Sequence, residues 1–454
     1  MRELDLNKIR KIHFVGIGGI SMMGLAKLML SLGKEVSGSD FKKTEGIKDL
    51  KKQGVNVFIG HNKWNIVPDI DLVVFTGAIK ENNIELLTAK KLGIKTLERS
   101  EFLGFISTLY ENVIAISGTH GKTTTTAIIG KIFQYAKLDP TIHIGGEVKD
   151  FKSSFVVGGK QYFITEACEY RESFKYLKPN TSVITNIESD HIDYYKTFDN
   201  LKLAFNNFAK SVKETLILCN NKYIDQTKLN CDIVSVGISC ISEIQAHNIL
   251  EKNSGYSFDV LKEDELIGNF SINLIGFHNI YNCLCAIAVA LKYGIKANVI
   301  KKALGEFEGI KRRNEYVGNI DGVPVVCDYA HHPTEIINSI NAIKEKYKKV
   351  LCVFQPHTYS RTSNLMEEFK TCFEGVDHLI IFKTYSAREK YSKKGSAKFL
   401  FKNVKCDEKN YINSDYILKK KINKISSKFD VVLVLGAGDI YNRVKKVIIN
   451  KKIC

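Results

Sequence analysis

The stretch Val113-Ile114-Ala115-Ile116-Ser117-Gly118-Thr119-His120-Gly121-Lys122-Thr123-Thr124 constrains the fold of this chain more than any other. An apolar run breaks into a glycine-lysine-threonine turn, and a helical pattern follows as far as Tyr135. Glycines let backbone N–H groups close round phosphate oxygens, a lysine neutralises their charge, and a threonine hydroxyl can hold Mg2+. Such a loop needs a buried strand before it and a helix after it, and both patterns are present. The full P-loop pattern would place glycine where Ile116 stands, so this is a Gly-Thr-His-Gly-Lys-Thr variant. ATP is the ligand it points to, and the loop residues Gly118 to Thr124 are its expected contacts.

The chain has 454 residues, and at roughly 150 residues per domain it divides into about three. No stretch approaches the ~18 consecutive apolar residues of a membrane span. The first apolar run, from Ile12, opens a glycine-rich turn and not a signal-peptide cleavage site. A cytoplasmic protein with no membrane partner is expected. Eleven cysteines are scattered without a CxxC pair, which excludes a zinc knuckle or a disulfide framework. The net charge of +17 comes from lysines spread along the whole length. That distribution describes a solvated surface rather than a nucleic-acid stripe, and its field favours polyanionic small substrates.

Strand-like runs alternate with amphipathic helical stretches, the sign of parallel sheets covered by helices in an α/β fold. Three blocks separate, over residues 1–110, 111–310 and 311–454. In the first, Ile12 to Gly19, a helix to about Leu32, and Glu35 to Asp40 form a strand, glycine turn, helix, strand unit. Asp40 lies close to the ~20-residue offset at which a carboxylate meets a ribose. Ser21 stands where the third glycine of a dinucleotide motif belongs, so the block is Rossmann-like without the full fingerprint. Val73 to Ala78 reads as a later strand with a polar loop at its carboxyl end.

The second block is a P-loop ATPase unit with a parallel sheet. Its strands Tyr162 to Glu166 and Ser182 to Asn186 deliver polar residues at their carboxyl ends, where such sheets bind ligands. Glu166 is placed to complete a Mg2+ site with Thr123. His191, just beyond the second of these strands, is either a metal ligand or a hydrogen-bonded loop histidine, and Asp190 is its rival as a ligand. From Val212 to Phe270 the chain reads as shorter β-like pieces with turns. His278 and Asn282 share one face of the helix that ends near Tyr293, and such a pair can cap the helix or read a base. The third block, again Rossmann-like, has strands that run into Asp328-Tyr329-Ala330-His331-His332-Pro333, Gln355-Pro356-His357-Thr358-Tyr359-Ser360-Arg361 and Gly436-Ala437-Gly438-Asp439.

These motifs, in this order and across nearly the whole chain, resemble the Mur ligases of peptidoglycan synthesis, and among them the members that use L-alanine. The resemblance implies a UDP-sugar-binding N-terminal domain, a central ATPase and a C-terminal domain that brings the amino acid. It implies ATP- and Mg2+-dependent joining of L-alanine to the lactyl carboxylate of UDP-N-acetylmuramate through an acyl phosphate. Lys122, Glu166 and His191 would act at the reacting centre, with Thr123, Glu166 and His191 on metal. Adenine would meet His278 and Asn282, beside the loop contacts Gly118, Thr119, His120, Gly121, Lys122, Thr123 and Thr124. The sugar nucleotide would meet Gly18, Gly19, Ser39, Asp40, His61 and Thr76. Tyr329, His357 and Arg361 would hold L-alanine, with Arg361 as counter-charge to its carboxylate. A monomer or homodimer is expected.

Three departures from the family pattern stand out: Cys168 where many members carry aspartate, Thr358 where some carry arginine, and no phenylalanine after Arg312-Arg313. A related ligase that attaches a preformed tripeptide to the same sugar nucleotide is the nearest alternative. A P-loop nucleotide switch and a dehydrogenase are the alternatives from other classes.

Overall fold

The computed structural model describes residues 4–219, 222–252, 255–387 and 389–449. Three sheets form, one from each third of the chain. The first contains β1 (Lys11–Val15), β2 (Glu35–Asp40), β3 (Asn56–Ile59), β4 (Leu72–Phe75) and β5 (Lys95–Glu98), all parallel in the order β3-β2-β1-β4-β5. Parallel strands buried on both faces read as continuous apolar runs, and Ile12, Phe14 and Val15 of β1 are accordingly buried. The glycine turn after β1 is pinned to β2: the amides of Gly16 and Ile17 donate to the Ser39 carbonyl at 2.8 and 3.0 Å.

The second sheet contains β6 (Asn112–Ser117), β7 (Thr141–Val148), β8 (Ser153–Val156), β9 (Tyr162–Glu166), β10 (Thr181–Ile184), β11 (Thr215–Cys219), β12 (Asp232–Ile238), β13 (Ile244–Lys252), β14 (Gly255–Lys262) and β15 (Glu265–Ile272). Their order is β15-β14-β13-β12-β11-β10-β6-β9-β7-β8. Strand β6 therefore lies between β10 and β9, and the chain winds outward from it in both directions. That is a topological switch point, the crevice in which open α/β sheets bind ligands. One expectation needs correction: the pieces between residues 212 and 270 are not short. Strands β13, β14 and β15 are 9, 8 and 8 residues long and pair antiparallel. Their outward face carries polar residues that dilute the apolar pattern in the sequence.

The third sheet contains β16 (Glu315–Ile320), β17 (Val323–Asp328), β18 (Val350–Phe354), β19 (His378–Phe382), β20 (Lys409–Ile412) and β21 (Val431–Leu435), in the order β16-β17-β21-β18-β19-β20. Only β16 is antiparallel to its neighbour.

The three thirds are joined in different ways. A single apolar cluster runs from Ile12, Phe14 and Leu72 of the first sheet through Phe102 and Ile106 to Val113, Phe163, Phe174 and Phe205 of the central unit. At the same joint Gly24 lies against the Phe155 ring, which a Cβ at that position would meet at 2.5 Å. Ser21 Oγ lies 2.7 Å from Nε2 of His143, a residue that burial and Arg99 push down to about 3 and so keep neutral. The third sheet has its own clusters, one on each face. No helix is long and apolar enough to cross a membrane among the described residues.

Candidate active site

The phosphate loop leaves the end of β6 and closes on the helix Lys122–Tyr135. Gly118 and Gly121 have φ of +129° and +84°, the left-handed region that glycine enters without steric cost. A Cβ on Gly121 would come within 2.5 Å of Asn282 Oδ1. The loop is held from the end of β10: the His120 amide donates to Asn186 Oδ1 at 2.9 Å, and the Thr185 hydroxyl donates to the His120 carbonyl at 2.6 Å.

Lys122 folds back over this loop. Its ammonium donates to the carbonyls of Gly118 and Thr119 and to Glu169 Oε1 at 3.1 Å, and it lies 3.0 Å from Glu169 Oε2. Burial opposes the charge on Lys122, but Glu169, Cys168 and Glu166 outweigh it and hold the group above its usual value. His191 Nε2 stands 3.6 Å from both Glu169 Oε1 and Asp190 Oδ2, and its ring lies against Tyr170 at 4.6 Å. Glu166, at the end of β9, accepts the Gly145 amide at 2.6 Å. A Cβ on Gly145 would lie 2.9 Å from Glu166 Oε2, and one on the adjacent Gly146 would lie 3.2 Å from Thr123 Cγ2. The two expected metal ligands thus border the same pair of glycines.

The donor types suit Mg2+: Thr123, Glu166, Glu169 and Asp190 offer the hard oxygens the ion prefers, with Glu169 engaged here by Lys122 and Asp190 by Arg361. Glu169 was not singled out from sequence, although it stands three residues after Glu166 in the same strand-end turn.

A cleft of about 1270 Å3 opens above this cluster. The first third lines it with Thr76, Gly77 and Arg99, the central unit with Tyr170, Arg171, Asp190 and His191, and the last third with His331, His357 and Arg361. Arg361 Nη2 lies 3.4 Å from Asp190 Oδ1 and Nη1 lies 3.4 Å from His357 Nδ1. Burial raises Asp190, but Arg361, His191 and His332 outweigh it, so the carboxylate stays ionised far below the usual range. His357 is pushed down to about 3 by burial and by neighbouring His331 and Arg361, so it faces the cleft neutral.

Other expected residues are placed differently. Tyr329 is not among the residues lining the cleft; Arg312 and Arg313 cover its ring at 4.7 and 5.3 Å, and His331 of the same turn faces the cleft instead. Ser39 and His61 turn into the first domain: the Ser39 hydroxyl donates to Glu85 Oε2 at 2.6 Å, and His61 Nδ1 lies 2.8 Å from the same oxygen. Asp40 Oδ2 accepts the Gly18 amide at 2.9 Å and so fixes the glycine turn. Thr76 alone of the six expected sugar-nucleotide contacts lines the large cleft.

A second pocket, of about 260 Å3, lies on the other side of the phosphate loop and is lined by His120, Gly121, Thr124, His278, Asn282 and Arg313. His278 is pushed down to about 4 by burial and Arg313 and is neutral there. Asn282 accepts from the Thr125 hydroxyl at 3.2 Å and donates to Asn279 Oδ1 at 3.0 Å.

The loop histidine also reaches the last third. His120 Nδ1 lies 3.2 Å from Glu335 Oε1, and its Nε2 lies 3.4 Å from Glu188 Oε2. His120, Glu188 and His332 converge within 4.8 Å, close enough to hold a metal ion. Burial lowers His120, yet Glu188 and Glu335 outweigh it and lift it to about 9.

The Mur ligase family catalytic domain matches residues 11–111, the Mur ligase middle domain residues 116–290, and the Mur ligase glutamate ligase domain residues 312–438. A UDP-N-acetylmuramate–L-alanine ligase of Alkaliphilus metalliredigens is 40% identical over 450 residues, 97% of each chain. The chain belongs to the Mur ligase family. A UDP-N-acetylmuramate–L-alanine ligase of Clostridium kluyveri is 42% identical over 451 residues, covering 97% of this Mur ligase and 98% of the relative. The crystal structure of the UDP-N-acetylmuramate–alanine ligase of Thermotoga maritima superposes with a TM-score of 0.82 at 26% identity, over 98% of this Mur ligase and 99% of that chain.

Proposed function

We propose that this Mur ligase joins L-alanine to the lactyl carboxylate of UDP-N-acetylmuramate with conversion of ATP to ADP and phosphate, a step in peptidoglycan precursor synthesis. The observation that carries the reading is the cleft: one wall from each third of the chain meets at His191, which stands against Glu169 and, through it, Lys122. Relatives of the same full length that bear this activity in their names support it.

We assign residues 1–110 to the sugar nucleotide, 111–310 to ATP and 311–454 to the amino acid. A carboxylate is a poor acylating agent, so its oxygen must first become a leaving group. The lactyl carboxylate attacks the γ-phosphorus, ADP departs, and an acyl phosphate forms. The amine of L-alanine then adds to the acyl carbon, and phosphate leaves the tetrahedral intermediate. Protein groups position the reactants and neutralise charge. Lys122 meets the γ-phosphate, leaving the carboxylate it now pairs with. Arg361 exchanges Asp190 for the carboxylate of alanine, and the neutral His357 stays beside its guanidinium. Mg2+, held by Thr123 and Glu166 with His191 and the buried Glu169 alongside, would screen the phosphate charge. His278 and Asn282 face the adenine side of the loop. We assign the reaction to the cytoplasm, where soluble nucleotides serve as co-substrates.

The test is phosphate release from ATP and Mg2+ with UDP-N-acetylmuramate, adding L-alanine, other amino acids or the tripeptide one at a time. Release that needs L-alanine supports the assignment. Release with the tripeptide alone selects the recycling reaction, and release without either acceptor or sugar nucleotide selects a nucleotide switch.

A further inference from the structure

Arg171 lines the cleft together with Lys80 and Arg99, and its backbone sets it apart from them. Arg171 and Glu172 are consecutive non-glycine residues with φ of +54° and +52°. Left-handed non-glycine residues of this kind are strained and persist where the surroundings over-determine them, often at ligand sites. Core packing does not account for this pair, because Arg171 is exposed. The turn carries its side chain across to the N-terminal domain, where Nη1 donates to the Gly77 carbonyl at 3.0 Å. Its guanidinium also stands 5.5 Å from the Tyr170 ring. Among the described residues no carboxylate forms an ion pair with it within 4 Å; Glu98, which accepts the Gly77 amide at 3.1 Å, borders the same glycine, where a Cβ would lie 3.4 Å from Glu98 Oε1 and 3.6 Å from Arg171 Nη1.

The segment leading to Arg171 is committed to the reacting centre. Glu169 pairs with Lys122, and the Tyr170 ring lies on His191. The span from Lys122 through Glu169 and Tyr170 to Arg171 and the Gly77 loop thus joins the reacting centre to the N-terminal domain. A carboxylate that attacks the γ-phosphorus from a sugar nucleotide held by the N-terminal domain must lie along that span. Arginine presents its donors in a planar fork that matches a carboxylate, and a single bond from Nη1 to Gly77 leaves Nη2 and Nε available. Resting on the proposed function, we infer that Arg171 is a substrate-binding residue that grips the lactyl carboxylate of UDP-N-acetylmuramate and aims it at the γ-phosphate.

UDP-N-acetylglucosamine carries the same uridine diphosphate and the same sugar but lacks the lactyl group, so the two ligands isolate this contact. Titration calorimetry on the full chain, wild type and Arg171→Ala, measures both. The expected result is a loss of about tenfold or more for UDP-N-acetylmuramate with UDP-N-acetylglucosamine changed less than twofold, and partial recovery of the lost affinity in Arg171→Lys. Equal losses for both ligands would make Arg171 a strut for the Gly77 loop or a diphosphate contact, and no loss for either would remove it from the site; both results overturn the assignment. If the wild type itself does not prefer UDP-N-acetylmuramate, the proposed function fails and the assignment fails with it.

Discussion

Lys122 and Glu169 face each other at 3.0 Å with side chains only 15% and 2% exposed, so the cation we assign to the nucleotide rests against a buried carboxylate. Removing one partner of a buried ion pair costs about 3–5 kcal/mol, because the other charge is left uncompensated. Glu169→Gln is therefore expected to lower the unfolding free energy by about 3 kcal/mol without ligand. Denaturant titrations with and without a non-hydrolysable ATP analogue check this: bound phosphates supply the missing charge, so the deficit should shrink with the analogue.

Lys122→Ala removes the ammonium that meets the γ-phosphate. Turnover should fall by orders of magnitude while circular dichroism stays unchanged. Steady-state phosphate release measures it, and near-normal turnover would take Lys122 out of the mechanism.

Glu166→Gln keeps the shape of the side chain that accepts the Gly145 amide but discards a hard anionic donor. The Mg2+ concentration for half-maximal rate should rise by about tenfold, as when the surroundings of a metal site are altered. A metal titration identical to wild type would exclude Glu166 as a ligand.

Arg361→Ala is expected to raise the KM for L-alanine well above any change in the KM for ATP, since Arg361 lies in the cleft with Asp190 and away from the nucleotide pocket. Initial rates with each substrate varied in turn decide the matter; equal effects on both would give Arg361 a structural role.

His120 gives a pH signature. Its folded pKa of about 9 exceeds the unfolded value of 6.5 because the pull of Glu188 and Glu335 outweighs burial. The contribution is therefore complete below pH 6.5 and is lost as pH rises through about 9. It amounts to about 3 kcal/mol at most. Unfolding free energies of wild type and His120→Asn should differ at pH 6 and converge by pH 10. A constant difference would show that His120 is not protonated in the folded chain.

Much of this was legible in the sequence wherever a short segment carries the information. The phosphate loop declares itself because strand, turn and helix are contiguous, and Glu166, His191 and Arg361 stand at strand ends, where α/β sheets expose polar groups. What could not be read is which way a side chain faces and what meets it from another domain. Ser39 and His61 have the right chemistry for a sugar nucleotide, yet the buried Glu85, 46 and 24 residues away, draws both inward. Glu335 lies 215 residues from His120, and no local pattern announces that pairing. The length of β13 to β15 was hidden because antiparallel strands with one wet face alternate apolar and polar residues, and bends such as the bulge between His247 and Leu250 break the alternation.

The apolar cluster that runs unbroken from the first sheet into the central one, against separate clusters in the third, gives the molecule two kinds of joint. Oil-like contact at the first joint is indifferent to ions, and Gly24 against Phe155 leaves it no room to slide. At the second joint His120 meets Glu335, Arg361 meets Asp190, and the Thr334 hydroxyl donates to Glu188. Charge pairs of this kind are weakened by salt and by protons in ways that buried hydrocarbon is not. The first joint is thus set by hydrocarbon packing and the second by ion pairs, so salt and pH reach the seat of the last domain and leave that of the first untouched.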